Sequence, residues 1–426
     1  MQYQPLVVGL LFSVAGLASG AEGLRAGAAK VDITPPTGYA MWGYASRHDQ
    51  PSAGVLDRLH ARALVLQMGK EKIALVSLDL GRPPTRKSMM EIVKRIDDTG
   101  IAWPFLVASH THHGPVIELD NWPTPQNSYV RQLEEKISAC IIEADKQLRP
   151  ARLGVAAKQV PYNRNRHSRL PDKPVDQELL VLRVDDANGK PIAHAVNFAA
   201  HPTMLPRTLM KFSADYPGAL AELVEKETGA PCLFLQGACG DLSPNPGEHA
   251  GPEKFGQLLG RETLALSQTI SCQECDKPTW QGSVHDFSLD CRIDHANPLL
   301  QAALSAAFFP ELISFYEREY QGGRINPEMT VGLLNGDIGF VGVSGEFFCG
   351  HSLSLKRRAR VKHLFFLGYC NNYHQYFPTI EAAAEGGYGT DPFGAPASVG
   401  AGEELMNTAL IQLYKFRGRL PDLRGR

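Results

Sequence analysis

The chain has 426 residues, 43% of them hydrophobic, which is enough to bury a sizeable core. Its 43 basic and 45 acidic residues leave a formal net charge of −2. This balance gives no electrostatic field that would hold nucleic acid or a strongly anionic membrane, so we exclude nucleic acid as a partner. Two basic runs, at 356–362 and 417–426, are interpreted as solvated faces.

An apolar run of 13 residues, LVVGLLFSVAGLA, occupies positions 6–18. It is shorter than the roughly 18 residues that a membrane-spanning helix needs, but it has the length of a signal-peptide core. Small residues at Ala18, Gly20 and Ala21 offer a cleavage site. We therefore predict a signal peptide over 1–21, an exported (periplasmic or secreted) protein, and one folded domain over 22–426 without a transmembrane segment.

The eight cysteines do not define a disulfide scaffold in a chain of this length. Cys272 and Cys275 form a C-x-x-C pair, which suggests a zinc or redox site when a second pair accompanies it. No second pair follows at a usable spacing. A local disulfide or free thiols are the favoured interpretation.

Strand and helix patterns alternate along the chain. Apolar residues at three- and four-residue spacing predict a helix within 125–146, and Pro217 favours a helix start at 217–228. The stretch 329–343 predicts a hairpin that turns at Asn335-Gly336-Asp337. Short apolar runs rich in β-formers predict buried strands at 73–78, 105–108, 192–199, 232–236, 339–343 and 363–367. The predicted fold class is α/β, with mixed buried β-sheets covered by helices.

Polar residues with metal-binding potential follow several of these strands. The segment SHTHHGP at 109–115 places three histidines in four positions, and in extended chain His110 and His112 would point to one side. His201 follows the run ending AVNFAA, and Glu346 follows GFVGVSG. Because strands of one α/β sheet present functional groups at their loop ends, we expect these side chains to converge.

Two imidazoles and a carboxylate suit a catalytic zinc, which takes about three protein ligands and leaves one position for water. His110, His201 and Glu346 supply such a set. A lone histidine after a strand is more often a hydrogen-bonded core residue than a metal ligand, whereas the paired histidines of HTH favour the metal. The long spacings do not specify a metal, so the residues alone leave both interpretations open.

Several sequence blocks occur in an order typical of one enzyme family. The blocks are AGAAKVDITPPTGYAMWGYA (26–45), HTHHGP, NRNR (163–166), NFAAHP, GDLSPN (240–245), SGEFF (344–348) and NNYHQYFPT (371–379). With them the sequence resembles the catalytic domain of the neutral, non-lysosomal ceramidases, over residues 26 to about 394. These are zinc amidases that cleave ceramide into sphingosine and a fatty acid.

The resemblance implies a zinc ion as cofactor and four metal ligands. The first histidine of the HTH block corresponds to His110, although the order within the pair His110 and His112 stays open. The NFA-x-H block gives His201, the GEF block gives Glu346, and the family's ligand tyrosine corresponds to Tyr376 in NNYHQYFPT.

The resemblance also implies four catalytic residues. His112 corresponds to a proton-transfer group beside the metal, and Tyr388 matches a second active-site tyrosine. Either could protonate the leaving amine, and Arg166 or Tyr388 could bind the developing oxyanion. Ser243, in the GDLSPN block, would orient substrate or water. By composition alone, a turn is the favoured interpretation of GDLSPN and a solvated residue that of Arg166, while each tyrosine is equally compatible with packing.

Some positions depart from the family pattern. His113 replaces a serine, Pro202 replaces a glycine and the sequence around Tyr388 differs, while the additional C-terminal immunoglobulin-like domain of longer members is expected to be absent. The expected substrate is a lipid or other small molecule, met at a membrane surface if it is a lipid. The apolar run 299–316 is a candidate wall for an acyl groove, although an ordinary core helix is the favoured interpretation.

Three hypotheses follow. The first is a zinc amidase that acts on ceramide or a related N-acyl lipid. The second is that the same zinc site acts on a non-lipid amide, an ester or a carbohydrate, because pocket residues rather than the fold decide the substrate. The third is a non-catalytic binding protein, which retention of all four ligand positions disfavours.

Overall fold

The computed structural model describes residues 23–294 and 297–420, so the predicted signal peptide at 1–21 lies outside the described residues. Within those residues the α-helices are α1 Arg86–Ile96, α2 Tyr129–Lys146, α3 Asp215–Thr228, α4 Pro252–Gln268, α5 Pro298–Ala307, α6 Pro310–Glu319, α7 Cys349–Arg358, α8 Ile380–Glu385 and α9 Ala401–Phe416. The strands are β1 Arg25–Asp32, β2 Gly54–Val55, β3 His60–Met68, β4 Glu71–Leu78, β5 Trp103–Ala108, β6 Arg149–Gln159, β7 Asn163–Asn165, β8 Glu178–Asp186, β9 Pro191–Phe198, β10 Lys211–Phe212, β11 Cys232–Gln236, β12 Leu242–Pro244, β13 Trp280–Asp286, β14 Leu289–Asp290, β15 Arg324–Ile325, β16 Glu328–Leu334, β17 Ile338–Val343, β18 Glu346–Phe347, β19 His363–Leu367 and β20 Tyr376–Phe377.

Twelve of these strands form two large sheets, and the other eight pair in four two-stranded sheets. The larger has eight strands in the order β11-β9-β8-β6-β1-β3-β4-β5, and the smaller has four in the order β13-β16-β17-β19. Most neighbours are antiparallel, but β4–β5, β9–β11 and β17–β19 are parallel pairs. Strands of a parallel pair end at the same edge. Polar residues that follow these six strands are therefore brought together in pairs.

The β3 strand shows how the layers are held together. Ala63 and Val65 face a core shared with α1 and α2, whereas Leu64 and Leu66 face a core shared with the smaller sheet. Both faces are buried, and for this reason such strands appear in the sequence as continuous apolar runs. Helices α3 and α4 cover the β8–β9–β11 part of the larger sheet, and α7 and α9 pack on the smaller sheet.

Most predicted elements are confirmed, with shifts at their ends. All six predicted strands are present, and the hairpin turns where Asn335 and Gly336 adopt positive φ values of 52° and 72°. The helix predicted within 125–146 begins at Tyr129, because Ser128 caps it by accepting a hydrogen bond from the backbone N–H of Arg131. The run 299–316 forms two helices, α5 and α6, separated before Pro310.

All eight cysteines are free thiols, which agrees with one of the two interpretations offered for Cys272 and Cys275. Within the described residues, no helix combines the length and hydropathy needed to cross a bilayer.

Candidate functional site

The ends of three strands bring the predicted metal-binding residues together. His110 follows β5, His201 follows β9, and Glu346 follows β17 and begins β18. Nε2 of His110 lies 3.1 Å from Nε2 of His201, and each nitrogen lies 3.3 Å from Oε2 of Glu346. None of the three side chains is more than 3% exposed. The predicted convergence is confirmed, but the expectation that the strands share one sheet is wrong, because β5 and β9 belong to the larger sheet and β17 to the smaller one.

Hydrogen bonds fix the orientation of both imidazoles. Nδ1 of His110 donates to the carbonyl of Gly81 at 2.8 Å, and Nδ1 of His201 donates to the carbonyl of Cys239 at 2.7 Å. With the protons on Nδ1, both Nε2 lone pairs point into the cluster. Two lone pairs 3.1 Å apart repel each other unless a proton or cation lies between them. The site therefore fits a cation.

Two tyrosines hold the carboxylate of Glu346. The hydroxyl of Tyr369 donates to Oε2 at 3.2 Å, and the hydroxyl of Tyr373 donates to Oε1. The ring of Tyr369 also stacks on His110, with centroids 4.1 Å apart. Burial alone would raise the pKa of Glu346, but positive charge at His110 and His201 holds it well below its usual range; with both Nδ1 protons donated to carbonyls, that charge requires a proton or cation beside the Nε2 atoms. The carboxylate is thus ionised and fixed in position.

His112 completes a group of three histidines whose nitrogens lie within 4.8 Å of one another and could bind a metal ion. Unlike its neighbours, it has two buried ring nitrogens without a hydrogen-bond partner among the described residues. Its ring packs edge-on against Trp42 and Tyr44, at centroid distances of 5.1 and 4.9 Å. Burial, followed by the two histidines, lowers the pKa of His112 well below its usual value. The imidazole of His112 is therefore neutral.

The expected extended conformation of this loop is wrong. His110 has a φ of +69°, and its N–H donates to the carbonyl of Leu80 at 2.9 Å. The chain therefore turns after β5 instead of continuing as a strand. The rings of His110 and His112 still meet, but nearly perpendicular, with centroids 5.0 Å apart.

His113 points away from the cluster. Its Nε2 accepts a hydrogen bond from Nη2 of Arg47 at 2.7 Å, and Nη1 of Arg47 donates to the carbonyl of His112 at 2.6 Å. Burial, together with Arg47, lowers the pKa of His113 to about 4, so the ring is neutral. His113, which stands where the family pattern has a serine, therefore anchors the loop to Arg47.

Arg166 and the two predicted tyrosines lie on one side of the cluster. Nη2 of Arg166 lies 3.1 Å from Nε2 of His201 and donates to the hydroxyl of Tyr376 at 3.3 Å. Burial acts to lower the pKa of Arg166, while Tyr376 and Glu346 raise it above its usual value overall. Tyr388 is 74% exposed, with its ring 5.7 Å from that of Tyr376.

Ser243 lies farther from this group. It is half-buried in β12, paired in register with Arg164 of β7. It is not among the residues that line the cavity described next.

A cavity of about 480 Å³ opens over the cluster, and both His112 and Glu346 reach it. Helices α5 and α6 form an apolar wall that contributes Leu300, Leu304, Ala307, Phe308 and Leu312. The segment 299–316, for which a cavity wall is the alternative to the favoured core helix, therefore does line a cavity.

One cation, Arg82, lies in the wall of this cavity. It pairs with Glu118 at 2.6 Å and donates to the hydroxyl of Tyr316 on α6. Its guanidinium carbon lies 4.2 Å from the ring centroid of Tyr373 and 5.0 Å from that of Trp42. Arg82 thus connects α6 with the tyrosine that holds Glu346.

Sequence reasoning missed Tyr369, Tyr373, Arg82 and Trp42. The first two follow β19 and Arg82 follows β4, so the strand-end rule that identified His110 would have found them. Trp42 does not follow a long strand. It contributes to the site by packing, for example against the ring of His112, which sequence alone does not reveal. A Cβ on Gly81 would come within 2.0 Å of the Trp42 ring, so glycine there makes room for the indole.

Sequence comparisons match this chain to one family of known proteins. A family model described as "Neutral/alkaline non-lysosomal ceramidase, N-terminal" matches residues 24–256. The chain is 26% identical over 269 residues to Neutral ceramidase B of Dictyostelium discoideum, and 28% identical over 255 residues to Neutral ceramidase of Pseudomonas aeruginosa. These alignments cover 53% and 52% of this chain but 36% and 37% of the relatives, so the matched region spans little more than a third of their length.

Solved structures show the same fold. The crystal structure of neutral ceramidase from P. aeruginosa superposes with a TM-score of 0.76 at 19% identity, covering 94% of this chain and 75% of that chain. A structure described as a ceramidase complexed with C2 gives 0.76 at 18% identity, with 94% and 76% covered. The α/β prediction is confirmed. Because the family model also matches more than half of the residues, this chain belongs to the neutral/alkaline non-lysosomal ceramidase family.

Proposed function

We propose that the protein is an exported zinc-dependent amidase that hydrolyses the N-acyl bond of ceramide or a related N-acyl lipid. One observation carries this proposal: His110, His201 and Glu346 meet within 3.3 Å beneath a cavity with an apolar wall. Family membership supports the amide bond of ceramide as the target.

His110, His201 and Glu346 would hold the zinc, with Tyr376 as the fourth candidate ligand. Tetrahedral zinc with bonds of about 2.0–2.1 Å places its ligand atoms roughly 3.3 Å apart, close to the spacing seen here. The lone pairs of both histidines already converge. A bound zinc ion would supply Lewis acidity for the amide carbonyl and lower the pKa of water to about 7. His112, whose nitrogen belongs to the same group of three histidines, would stand beside this set as a proton-transfer group.

His112 is suited to move the proton that hydrolysis requires. Attack of water on the amide carbon forms a C–O bond and releases a proton, which an unpartnered nitrogen of His112 can accept. The same proton then passes to the amide nitrogen as the C–N bond breaks, giving a carboxylic acid and a free amine.

Arg166 and Tyr388 are suited to stabilise the negative charge that develops on the carbonyl oxygen. The Arg166 guanidinium lies 3.1 Å from Nε2 of His201, and Tyr388 lines the cavity. Ser243 would act indirectly, because β12 pairs with β7, the strand that leads directly into Arg166. The backbone N–H of Arg166 also donates to the carbonyl of Asp241 at 2.8 Å, which ties both segments together.

Residues 22–426 would form the catalytic domain, preceded by a signal peptide. The apolar run 6–18 and the small residues after it support export. N-terminal sequencing of the protein recovered outside the cytoplasm tests this part, since the mature chain should begin near Glu22.

Fatty-acid release from a short-chain ceramide tests the activity. Purified protein is compared with and without zinc after chelation, with His110→Ala as the control. Release that requires both zinc and His110 is expected. A zinc-loaded protein that releases no fatty acid from ceramide would contradict the proposal and direct the search to other amides, esters and carbohydrates.

A further inference from the structure

Cys239 is a buried thiol beside the metal-binding cluster, and the proposed function gives it no role. It follows β11, and its carbonyl accepts the hydrogen bond from Nδ1 of His201 at 2.7 Å. Its Sγ lies 3.1 Å from the hydroxyl oxygen of Tyr369. That hydroxyl donates to Oε2 of Glu346, and the ring of Tyr369 stacks on His110. Cys239 and Tyr369 together therefore contact all three side chains that meet in the cluster.

The direction of this hydrogen-bond chain follows from the number of protons available. The Tyr369 hydroxyl has one proton, and a carboxylate accepts a hydrogen bond much more strongly than a thiol sulfur does. The tyrosine proton is therefore donated to Glu346, and the hydroxyl oxygen accepts the S–H of Cys239. A hydroxyl that accepts one hydrogen bond is a stronger donor in the next, because neighbouring hydrogen bonds polarise each other. The thiol thus orients the hydroxyl and strengthens its hydrogen bond to Glu346.

The segment that carries Cys239 is anchored to both histidine loops. Gln236, the last residue of β11, is fully buried, and its Nε2 donates to the carbonyls of Ser109 and Ala200 at 2.9 and 3.0 Å. These two residues directly precede the two histidines of the candidate metal site. Because β11 ends in contact with both loops, the position of the thiol relative to the cluster is fixed.

We propose that Cys239 is a positioning residue that acts through Tyr369 on Glu346. This inference rests on the zinc site of the proposed function. The thiol does not bind the metal; it orients the hydroxyl that holds the carboxylate in place. A buried thiol that only filled space would contribute to stability through packing but not to zinc affinity. The two alternatives therefore differ in zinc affinity.

Titration calorimetry of the full chain with zinc distinguishes them, using Cys239→Ala, Cys239→Ser and Cys232→Ala. Cys232 is the matched control, because it is also a fully buried free thiol but lies at the opposite end of β11 in an apolar cluster. Both alanine variants should lose thermal stability, since each leaves a cavity. Cys239→Ala alone should also weaken zinc binding, roughly three- to tenfold, because it acts one hydrogen bond away from the carboxylate. Cys239→Ser keeps a donor and should retain most of the affinity.

A double-mutant cycle with Tyr369→Phe shows whether the thiol acts through the hydroxyl. Once Tyr369→Phe has removed that hydroxyl, adding Cys239→Ala should cause no further loss of zinc affinity. Three results would overturn the positioning role: unchanged affinity in Cys239→Ala, an equal loss in Cys232→Ala, or additive losses in the double variant. A wild-type protein that binds no zinc would refute the zinc site itself and this inference with it.

Discussion

The two sides of the cavity are built on different physical principles. On one side, His110, His201 and Glu346 are buried. The two histidines donate hydrogen bonds to backbone carbonyls, and Glu346 accepts one from a tyrosine. On the other, α5 and α6 present aliphatic and aromatic side chains, and part of α5 faces solvent. The polar side fixes the positions of particular atoms through hydrogen bonds, whereas the apolar side determines the shape of the cavity. Changes on the first should affect metal binding and kcat, and changes on the second should affect KM.

Replacing a metal-binding residue should have the largest effect. Glu346→Gln keeps the shape but removes the charge that balances a divalent cation. Zinc affinity should fall more than about 100-fold, beyond the usual effect of losing a residue that merely supports a ligand. Metal analysis after dialysis measures it, with Glu248→Gln, on an exposed side chain, as the control. Equal zinc content in both variants would contradict this assignment.

Removing a hydroxyl group that hydrogen-bonds to Glu346 should have the next largest effect on zinc affinity. Tyr373→Phe deletes the hydroxyl that donates to Oε1 while keeping the ring that packs beneath Arg82. Zinc affinity should fall about 10- to 100-fold with thermal stability nearly unchanged. Titration calorimetry with zinc measures the change. Tyr162→Phe, remote from the cluster, is the control and should bind zinc normally. Unaltered affinity in Tyr373→Phe would show that this hydroxyl does not support the site.

A change in the apolar wall should alter substrate use without affecting the metal. Leu304→Ser should raise KM for a long-chain N-acyl substrate about tenfold, because about two methylene contacts are lost and a polar group enters the groove. Zinc content and kcat should stay close to wild type. Steady-state kinetics with long and short acyl chains measures the difference, with Leu264→Ser on α4 as the control. A drop in zinc affinity would mean that the two sides are not independent.

Arg82 contacts both the polar and the apolar side of the cavity. Replacing it should have the smallest effect on zinc affinity and on KM. Arg82→Lys keeps the positive charge but loses the planar stacking on Tyr373 and the fork that reaches Tyr316. Zinc affinity should fall and KM should rise, each several-fold. Zinc titration and kinetics on one preparation measure both. A change in only one of the two would show that Arg82 serves a single side.

Sequence reasoning located the polar side better than the apolar side. His110, His201 and Glu346 could be found because each follows a strongly apolar strand. The positive φ of His110 could not be predicted, since it depends on a hydrogen bond to Leu80 in the neighbouring strand end. The contact of His113 with Arg47 likewise joins residues that no local pattern links.

The apolar wall was only partly predictable. Composition singled out 299–316, but it could not distinguish a cavity wall from a core helix, because both present the same side chains. Which face of α5 meets the cavity depends on the break before Pro310 and on the packing of Phe309 against Trp122, with ring centroids 5.2 Å apart. These are tertiary contacts that a single sequence does not encode locally.

The most direct test of this account is the position of the metal. Crystals of the zinc-loaded protein, measured at the zinc absorption edge, should show one anomalous peak bonded to Nε2 of His110, Nε2 of His201 and Oε2 of Glu346. The ring of His112 should lie outside bonding distance and remain free to carry a proton. A peak bonded to His112 instead of Glu346, or zinc bound only elsewhere, would contradict the central claim that two histidines and a carboxylate hold the metal.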